Sequence, residues 1–348
     1  MQKQDIFYNG TKLLSLSDID GKKPELYLCT TNRSGGKTTY FSRLVVNRFL
    51  KRKEKFGLLY RYNYELDDVS DKFFADIKRL FFPSMEMTSK SRAKGIYHEL
   101  FLNGEPCGYA ISINSADMIK KNSHLFSDVE CMIFDEFQSE SKHYCSKEVQ
   151  KFISIHTSIA RGNGQAVRHV PVFMLTNQVS ILNPYYVELG ISQRLRDDTN
   201  FLRGSGFVAE FGFIQEVSDQ QKQSAFNRAF SSNAYTKYST ENVYLSDSRS
   251  FIGKPHGRSL YLCTMKYENK NYAVREYCES GYLYCDDKPD LTHPLKIVVT
   301  TVDHSINYVM LKRNSIFLGG LRSLFERGCF RFKDQQCKEV ILKALAYI

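Results

Sequence analysis

The chain has 348 residues, 42% of them hydrophobic and 25% charged, which is ordinary for one large or two smaller globular domains. Its formal net charge of +10 favours a polyanionic partner. No apolar run is long enough to span a bilayer, and the first residues carry no apolar signal core, so we expect neither a membrane protein nor an exported one. Nine cysteines are scattered without any Cys-x-x-Cys pair, which predicts reduced thiols rather than disulfides or a zinc site.

After an irregular lead-in over residues 1–24, an apolar strand beginning at Leu26 enters a small polar loop, and a helix follows at once. This order of strand, glycine loop and helix is the context of a phosphate-binding loop, in which backbone N–H groups and the helix N-terminus hold phosphate oxygens. The predicted nucleotide-binding residues are Thr31, Asn32, Arg33, Ser34, Gly35, Gly36, Lys37, Thr38 and Thr39.

Within this loop, Lys37 is expected to reach the β- and γ-phosphates of ATP, and the Thr38 hydroxyl to bind Mg²⁺. Thr31 stands where the full phosphate-loop pattern has a glycine. The alternative is a surface turn after a core strand. The flanking elements, and a matching acidic element downstream, favour the phosphate-binding interpretation.

The next elements alternate between helix and strand periods. A helix from Thr39 to about Arg52 carries apolar residues at helical spacing, and Pro83 ends a later helix. Asn103-Gly104 is typical of a tight hairpin turn. The predicted ranges are a strand at 57–62, a helix at 65–82, and hairpin strands at 96–102 and 107–113.

An apolar strand over residues 129–137 ends in the adjacent carboxylates Asp135 and Glu136. Burial of a carboxylate at a strand end is unfavourable unless a cation or a hydrogen-bond partner lies nearby. We predict that Asp135 holds the water shell of Mg²⁺ and that Glu136 is the base for the attacking water. The alternative is an Asp-Glu pair that only caps the next helix.

A helix over 147–161 follows and ends at Gly162-Asn163-Gly164, and a further apolar strand over 170–176 has Asn177 at its tip. The sequence distance between the two motif-bearing strands leaves room for strands between them. This is the layout of P-loop ATPases with an additional catalytic glutamate, the ASCE class. Lys37, Asp135 and Asn177 should converge beyond the carboxyl ends of its parallel-rich central sheet.

The remaining chain predicts two further parts. Residues 1–213 form the ATPase domain, 214–250 a polar linker or small linker domain, and 251–348 a smaller α+β domain for DNA or portal binding. Residues 310–348 hold eight Lys or Arg against three acids, which indicates either an anion-binding surface or a solvated helix face. The predicted C-terminal elements are strands at 259–267, 272–278, 282–285 and 295–302, then helices at 304–327 and 335–347.

These motifs together resemble the DNA-packaging ATPase, or DNA encapsidation protein, of small short-tailed bacteriophages of the Picovirinae type. The resemblance covers nearly the whole chain. The segments that carry it are Phe7-Tyr8-Asn9, the loop with Arg33, Val46-Asn47-Arg48-Phe49, Arg61-Tyr62 with Glu65-Leu66, Phe134-Asp135-Glu136-Phe137, Asn177 with Val179-Ser180, and Asn183-Pro184-Tyr185.

The resemblance implies an ATP- and Mg²⁺-dependent motor that drives double-stranded DNA into an empty prohead. It implies a homomeric ring, usually a pentamer, at the portal vertex, with a structural packaging RNA as a possible further partner. Such a protein works in the host cytoplasm and is absent from the mature virion. The family's trans-acting arginine is best matched by Arg161, with Arg168 as the second candidate.

The resemblance also implies that the C-terminal domain is similar to an RNase H-like nuclease that has lost its catalytic acids. The opening strand of this domain carries no carboxylate, and Asp286, Asp287 and Asp290 are better explained by a solvated turn than by metal binding. The alternatives are an active terminase that also cuts DNA, another ring-forming translocase, a P-loop kinase, and a binding module with an inactive loop.

Overall fold

A computed structural model describes residues 7–67, 69–161, 166–195, 199–241, 244, 251–346 and 348. The chain divides into two compact units. The first comprises Met1–Gln178 with Asp198–Val243, and the second comprises Val179–Asp197 with Tyr244–Ile348. Strands and helices are numbered below in chain order through both units. In the described ranges, no helix combines the length and the apolar character that a membrane crossing requires.

The described residues of the first unit build a nine-stranded sheet in the order β3-β4-β5-β2-β6-β7-β1-β9-β8. Its six central strands, from β5 to β9, are mutually parallel, and the antiparallel pairings lie at the two edges. The strands are β1 (Leu26–Thr30), β2 (Lys55–Tyr60), β3 (Met87–Arg92), β4 (Tyr97–Leu102), β5 (Glu105–Ser112), β6 (Val129–Asp135), β7 (Val172–Thr176), β8 (Phe201–Gly204) and β9 (Phe207–Phe211).

Strand β7 lies between β1 and β6, the strands that carry the phosphate-loop and Asp-Glu motifs. Every residue of β7 is buried, as expected for a parallel strand covered on both faces. Because all three strands are parallel, their carboxyl ends meet at one edge of the sheet. The predicted α/β fold with a parallel-rich sheet is therefore confirmed. The prediction that the chain between the two motifs supplies the strands between them is wrong, because β2 to β5 lie on the far side of β6 and only β7, which follows β6 in sequence, separates it from β1.

Helix α2 packs on this sheet through its apolar face. Helix α2 buries Phe41, Val45 and Phe49 at helical spacing, and a left-handed Lys53 ends it. Helix α3 ends just before Pro83, as the sequence predicted. The helices are α1 (Thr11–Ser15), α2 (Lys37–Arg52), α3 (Val69–Phe81), α4 (Ala116–Lys121), α5 (Glu148–Ala160), α8 (Gln215–Gln223), α9 (Ala225–Ala229) and α10 (Ala234–Thr240).

The second unit contains a seven-stranded mixed sheet in the order β10-β16-β13-β12-β11-β14-β15, and its buried core includes Val274, Leu283, Phe325, Phe330 and Ile341. The strands are β10 (Phe251–Ile252), β11 (Leu260–Tyr267), β12 (Lys270–Tyr277), β13 (Tyr282–Asp286), β14 (Lys296–Val298), β15 (Val309–Met310) and β16 (Phe330–Phe332), and the helices are α6 (Pro184–Glu188), α7 (Ile191–Arg194), α11 (Ser315–Glu326) and α12 (Gln335–Leu345).

Several local predictions differ from the structure. The irregular lead-in contains helix α1, the predicted helix at 65–82 begins as a 3₁₀ turn over Asn63–Leu66, and strands β3 and β8 were not predicted. The predicted helix at 304–327 begins only at Ser315. Gly162-Asn163-Gly164 lies outside the described residues. The domain borders at 213 and 250 stay a prediction, since the compact units place Asp198–Val243 with the first sheet and Val179–Asp197 with the second.

Candidate active site

The phosphate-loop candidate joins β1 to α2 through a turn with two left-handed residues, Ser34 (φ 61°) and Gly36 (φ 88°). Gly36 ends the turn as the N-cap of α2, where a side chain would strain the backbone. A Cβ at Gly35 would lie 2.8 Å from Ile214 Cδ1, so a side chain at this position would have to displace the end of the Ile214 side chain. Thr31 is not among the left-handed residues, which explains why a glycine is dispensable there.

Lys37 is the first residue of α2, and its buried side chain donates a 2.6 Å hydrogen bond from Nζ to Oδ1 of Asn177. Burial lowers the pKa of Lys37, while the charge of Asp135 acts in the opposite direction. The structure therefore brings Lys37, Asp135 and Asn177 together at the edge where the three strands end.

Asp135 is the last residue of β6, and its carboxylate accepts a 2.9 Å hydrogen bond from the Glu136 backbone N–H and lies close to the Thr38 side chain. Burial raises the pKa of Asp135, and Lys37 and Thr38 act to lower it. The two predicted Mg²⁺ ligands thus lie next to each other. A partly buried carboxylate beside a hydroxyl is an oxygen donor set of the kind that Mg²⁺ uses in nucleotide sites.

Glu136 follows β6 with a left-handed backbone (φ 53°), which is uncommon for a non-glycine residue. Its side chain is exposed and lines the same cavity as the phosphate loop. Burial of its immediate surroundings raises its pKa, and the neighbouring carboxylates of Asp135 and Glu140 raise it further. A carboxylate with a raised pKa is a more effective general base.

A buried ion pair that the sequence analysis did not include among the site residues supports this turn. Arg61, just after β2, contacts Glu148 through Nε at 2.9 Å and Nη2 at 3.1 Å. The same guanidinium donates to the backbone oxygen of Phe137 at 2.8 Å and that of Glu136 at 3.4 Å. The sequence did carry one signal for Arg61, namely a charged residue placed directly after an apolar strand.

Arg33 of the loop contacts Glu140 and also Tyr235, which the sequence placed in a linker. Its Nη1 donates to Glu140 at 3.1 Å and to the Tyr235 hydroxyl. The hydroxyl of buried Tyr238 also donates to Glu140, at 2.8 Å, and lies close to the Asn177 side chain. Helix α10 therefore connects, within the first unit, to both the loop arginine and Asn177.

The loop itself is fixed to the chain that follows β9. Asn32 donates from Nδ2 to the Ile214 backbone oxygen at 3.2 Å and accepts from the Ile214 N–H at 2.9 Å. Ser34, Gly35, Gly36, Thr38 and Thr39 line a cavity of about 1000 Å³ with Lys37, Asp135, Glu136 and Asn177. All the predicted site residues except Thr31, Asn32 and Arg161 thus line this one cavity, and Arg33 is among them.

Arg161 and Arg168 lie elsewhere. Exposed Arg161 follows α5 and donates from Nε to the Thr157 oxygen at 3.3 Å. Arg168 is buried, pairs with Glu130 at 3.1 Å and donates to the backbone oxygens of Val129 and Ile159. Because Val129 begins β6, Arg168 lies at the amino end of that strand, opposite the phosphate loop.

The acids of the second unit are held in local interactions. Asp286 pairs with Arg275 at 3.1 Å, and Asp287 pairs with Lys333. Asp303 accepts hydrogen bonds from the backbone N–H groups of Glu268 and Asn269. Across the described ranges, no three His, Cys, Asp or Glu side chains gather as a metal site.

A protein-family model described as the Podovirus DNA encapsidation protein (Gp16) matches residues 1–346. The chain belongs to this family. The family resemblance predicted from the sequence is therefore confirmed. The DNA packaging protein of Bacillus phage phi29 is 26% identical to this encapsidation protein over 341 residues, which are 97% of this chain and 96% of the relative. The DNA packaging protein of Bacillus phage B103 is 24% identical and covers 88% of this chain, with 92% of its own length matched.

Two solved structures share the fold over almost the entire length of this encapsidation protein. A chain of the bacteriophage Phi-29 viral genome packaging motor assembly has a TM-score of 0.61 and 24% identity, covering 97% of this chain and 99% of that one. The Phi-28 gp11 DNA packaging motor has a TM-score of 0.63 and 18% identity, covering 98% and 96%. These likenesses extend across both units of the chain.

Proposed function

We propose that this DNA encapsidation protein hydrolyses ATP and uses the energy to move double-stranded phage DNA into an empty prohead. One observation carries the proposal: Lys37, Thr38, Asp135, Glu136 and Asn177 meet in one cavity at the carboxyl edge of a parallel sheet. This combination provides phosphate binding, metal binding and a base. It exceeds what a module that only binds nucleotide needs.

In this proposal, the backbone N–H groups from Ser34 to Thr39 and the N-terminus of α2 hold the phosphates. Lys37 neutralises charge on the β- and γ-phosphates. Thr38 and Asp135 hold Mg²⁺, which stabilises negative charge on the transferred phosphoryl group when it is bound. The two side chains lie close together, so both could contribute an oxygen to one ion.

Turnover requires a water activated next to the γ-phosphate. Glu136 accepts the proton of this water, and the Arg61 contacts with the backbone of residues 136 and 137 hold the base in position. Asn177 accepts a hydrogen bond from Lys37 and lies close to Tyr238, so it is placed to respond to the γ-phosphate and to transmit its loss to α10.

We further propose that identical subunits form a ring, five in number as the resemblance implies, at the portal vertex of a prohead in the host cytoplasm. In a head-to-tail ring, each ATP site can face a neighbouring subunit. Arg161 is exposed and directly follows α5. The last residue of this helix, Ala160, accepts a hydrogen bond from the backbone N–H of Arg168, which lies at the edge of the sheet opposite the phosphate loop, so Arg161 lies away from the phosphate loop of its own subunit. It is therefore the better candidate for a trans-acting arginine, and Arg168, held by Glu130, is the weaker one.

The test is ATPase activity of the purified chain, alone and with double-stranded DNA and proheads. We expect hydrolysis that rises when both are added and that Lys37→Ala abolishes, because the phosphates lose their buried cation. Lys22→Ala, which changes an exposed lysine, is the matched control and should behave as the wild type. Hydrolysis that is insensitive to DNA and proheads would contradict the motor proposal, and hydrolysis that survives Lys37→Ala would contradict the assigned site.

A further inference from the structure

We propose that the aromatic part of the phosphate-loop cavity, formed by Phe7, Tyr40, Arg43 and Phe81, binds the base of the nucleotide by stacking. This inference rests on the proposed nucleotide-binding function and names a subsite that the phosphate chemistry leaves unassigned. The four residues line the same cavity of about 1000 Å³ as Lys37 and Glu136. The cavity is thus continuous from the carboxylates to the aromatic residues.

Phe7 lies directly against the end of the phosphate loop. A Cβ built at Gly36 would lie 3.2 Å from the Phe7 Cβ, and the N–H of the next residue, Tyr8, donates to the Gly35 oxygen at 2.8 Å. Despite these contacts, the Phe7 side chain is 57% exposed. An apolar ring that is fixed beside a phosphate site and left exposed provides a surface on which a planar base can stack.

The two ends of the cavity differ in chemistry, and this difference indicates which part of the nucleotide reaches Phe7. Glu136 and Asn177 are suited to the γ-phosphate, so the α-phosphate, ribose and base must extend toward the remaining lining. Thr39 and Arg43 are four residues apart and share a face of α2, and that face leads away from the loop along the helix. The base therefore lies beyond Thr39, in the part of the cavity formed by aromatic side chains.

Arg43 adds a second planar group in this part. Its guanidinium stacks over the Phe81 ring, 4.2 Å from the centroid, and Tyr40 packs edge-on against Tyr8 at 5.6 Å. These contacts hold the planar groups in place, which reduces the entropy that base binding would otherwise lose. A site built on stacking recognises the flat face of a base, which all purines share, more than its hydrogen-bonding edge.

A smaller cavity of about 380 Å³ offers the other possible location for the base. It also borders Asp135 and Glu136, and it contains Tyr64, which is 68% exposed and stacks on Tyr62. Glu65 lies in the same lining. Unlike the larger cavity, this one is not lined by Lys37 or by the loop residues 33–36, which hold the phosphates in this proposal, so we assign it no base.

The test compares two ligands by calorimetry on the full chain in Mg²⁺: ATP, and inorganic tripolyphosphate, which has the phosphates without a base. We expect Phe7→Ala to weaken ATP binding about tenfold or more and to leave tripolyphosphate binding unchanged. Phe7→Trp should restore ATP affinity because it restores a stacking ring. Phe226→Ala, which removes a 71% exposed ring outside both cavities, should change neither affinity.

Three results would overturn the proposal. Unchanged ATP affinity in Phe7→Ala would show that the base lies elsewhere, and a loss in Tyr64→Ala instead would place it in the smaller cavity. Equal losses for both ligands would mean that Phe7 only supports the loop at Gly36. If the wild type binds neither ligand, the proposed nucleotide-binding function fails as well, whereas intact tripolyphosphate binding limits the failure to the base subsite.

Discussion

Glu136 combines an exposed carboxylate with a left-handed backbone directly after a buried strand. We predict that Glu136→Gln retains ATP binding, because the phosphate loop and Asp135 are untouched, and lowers the hydrolysis rate about 100-fold or more, because the water loses its base. Binding by calorimetry and turnover by phosphate release measure the two effects separately. Normal turnover in this variant would show that another group activates the water.

A substitution of Arg61 tests whether the turn at Glu136 needs the hydrogen bonds that this side chain donates to it. Arg61→Lys retains the charge beside Glu148 but removes the planar fork that reaches the backbone oxygens of Glu136 and Phe137. We predict a lower free energy of unfolding in urea and a lower kcat, with the KM for ATP little changed. Arg52→Lys, which alters an exposed pair with Glu54, is the control. A variant with reduced stability and unchanged kcat would make the pair purely structural.

Local sequence order indicates the candidate site residues but not the residues that support them. Lys37, Thr38, Asp135 and Glu136 follow from a local order of strand, loop and helix, or of strand and acid, and local order can be read along a chain. Arg61 and Glu148 are 87 residues apart, and Tyr238 and Glu140 are 98 apart. Pairs of this kind depend on strand order, which a single sequence does not specify.

At the scale of elements, the turn from β1 to α2 depends on Gly36 at φ 88°. We predict that Gly36→Ala strains this turn, because an alanine is unfavourable at positive φ and its Cβ would also approach Phe7 at 3.2 Å. Affinity for tripolyphosphate should fall at least tenfold with the far-UV circular dichroism unchanged. Gly21→Ala, at φ 73° with open space around its Cβ, is the matched control. Equal affinity in the two variants would show that the turn tolerates a side chain.

Apolar periodicity accounts for the elements that the sequence predicted and for those that it missed. Strands β6 and β7 are nearly continuous apolar runs, and the Asn103-Gly104 turn has the two positive φ angles of a tight hairpin. Strand β3, at an edge of the sheet, exposes most of its residues and reads as polar, so no alternation signals it. The polar segment after 214 folds into short helices that are held by Asn32, Arg33 and Glu140, contacts too distant in sequence to predict.

The division of the whole molecule was only partly predictable. A change in composition near 214 indicates a border, but the contacts of Asn32 with Ile214 and of Arg33 with Tyr235 tie the following helices to the first unit. Residues 179–197 belong to the second unit, although they directly follow the Asn177 strand. A segment that leaves one sheet to pack in another unit carries no local signal.

If ATP sites are completed by an arginine of the neighbouring subunit in a ring, two inactive variants should complement each other. Arg161→Ala and Glu136→Gln subunits should each lack ATPase activity alone, while mixed rings regain part of it, because an intact arginine then faces a neighbour's intact site. ATPase activity across mixing ratios measures this, with mixed assembly verified by differently tagged subunits. A mixture that stays inactive, while Arg168→Ala subunits do complement Glu136→Gln, would assign the trans-acting role to Arg168.

The central claim, that ATP hydrolysis in this chain moves DNA into a shell, is tested most directly by the amount of DNA protected from DNase after incubation with proheads. We predict that the wild type with ATP protects double-stranded DNA, and that Lys37→Ala subunits, or wild type with a non-hydrolysable ATP analogue, protect none. Protection by Lys37→Ala equal to that by the wild type, in the same proheads and DNA, would contradict the account.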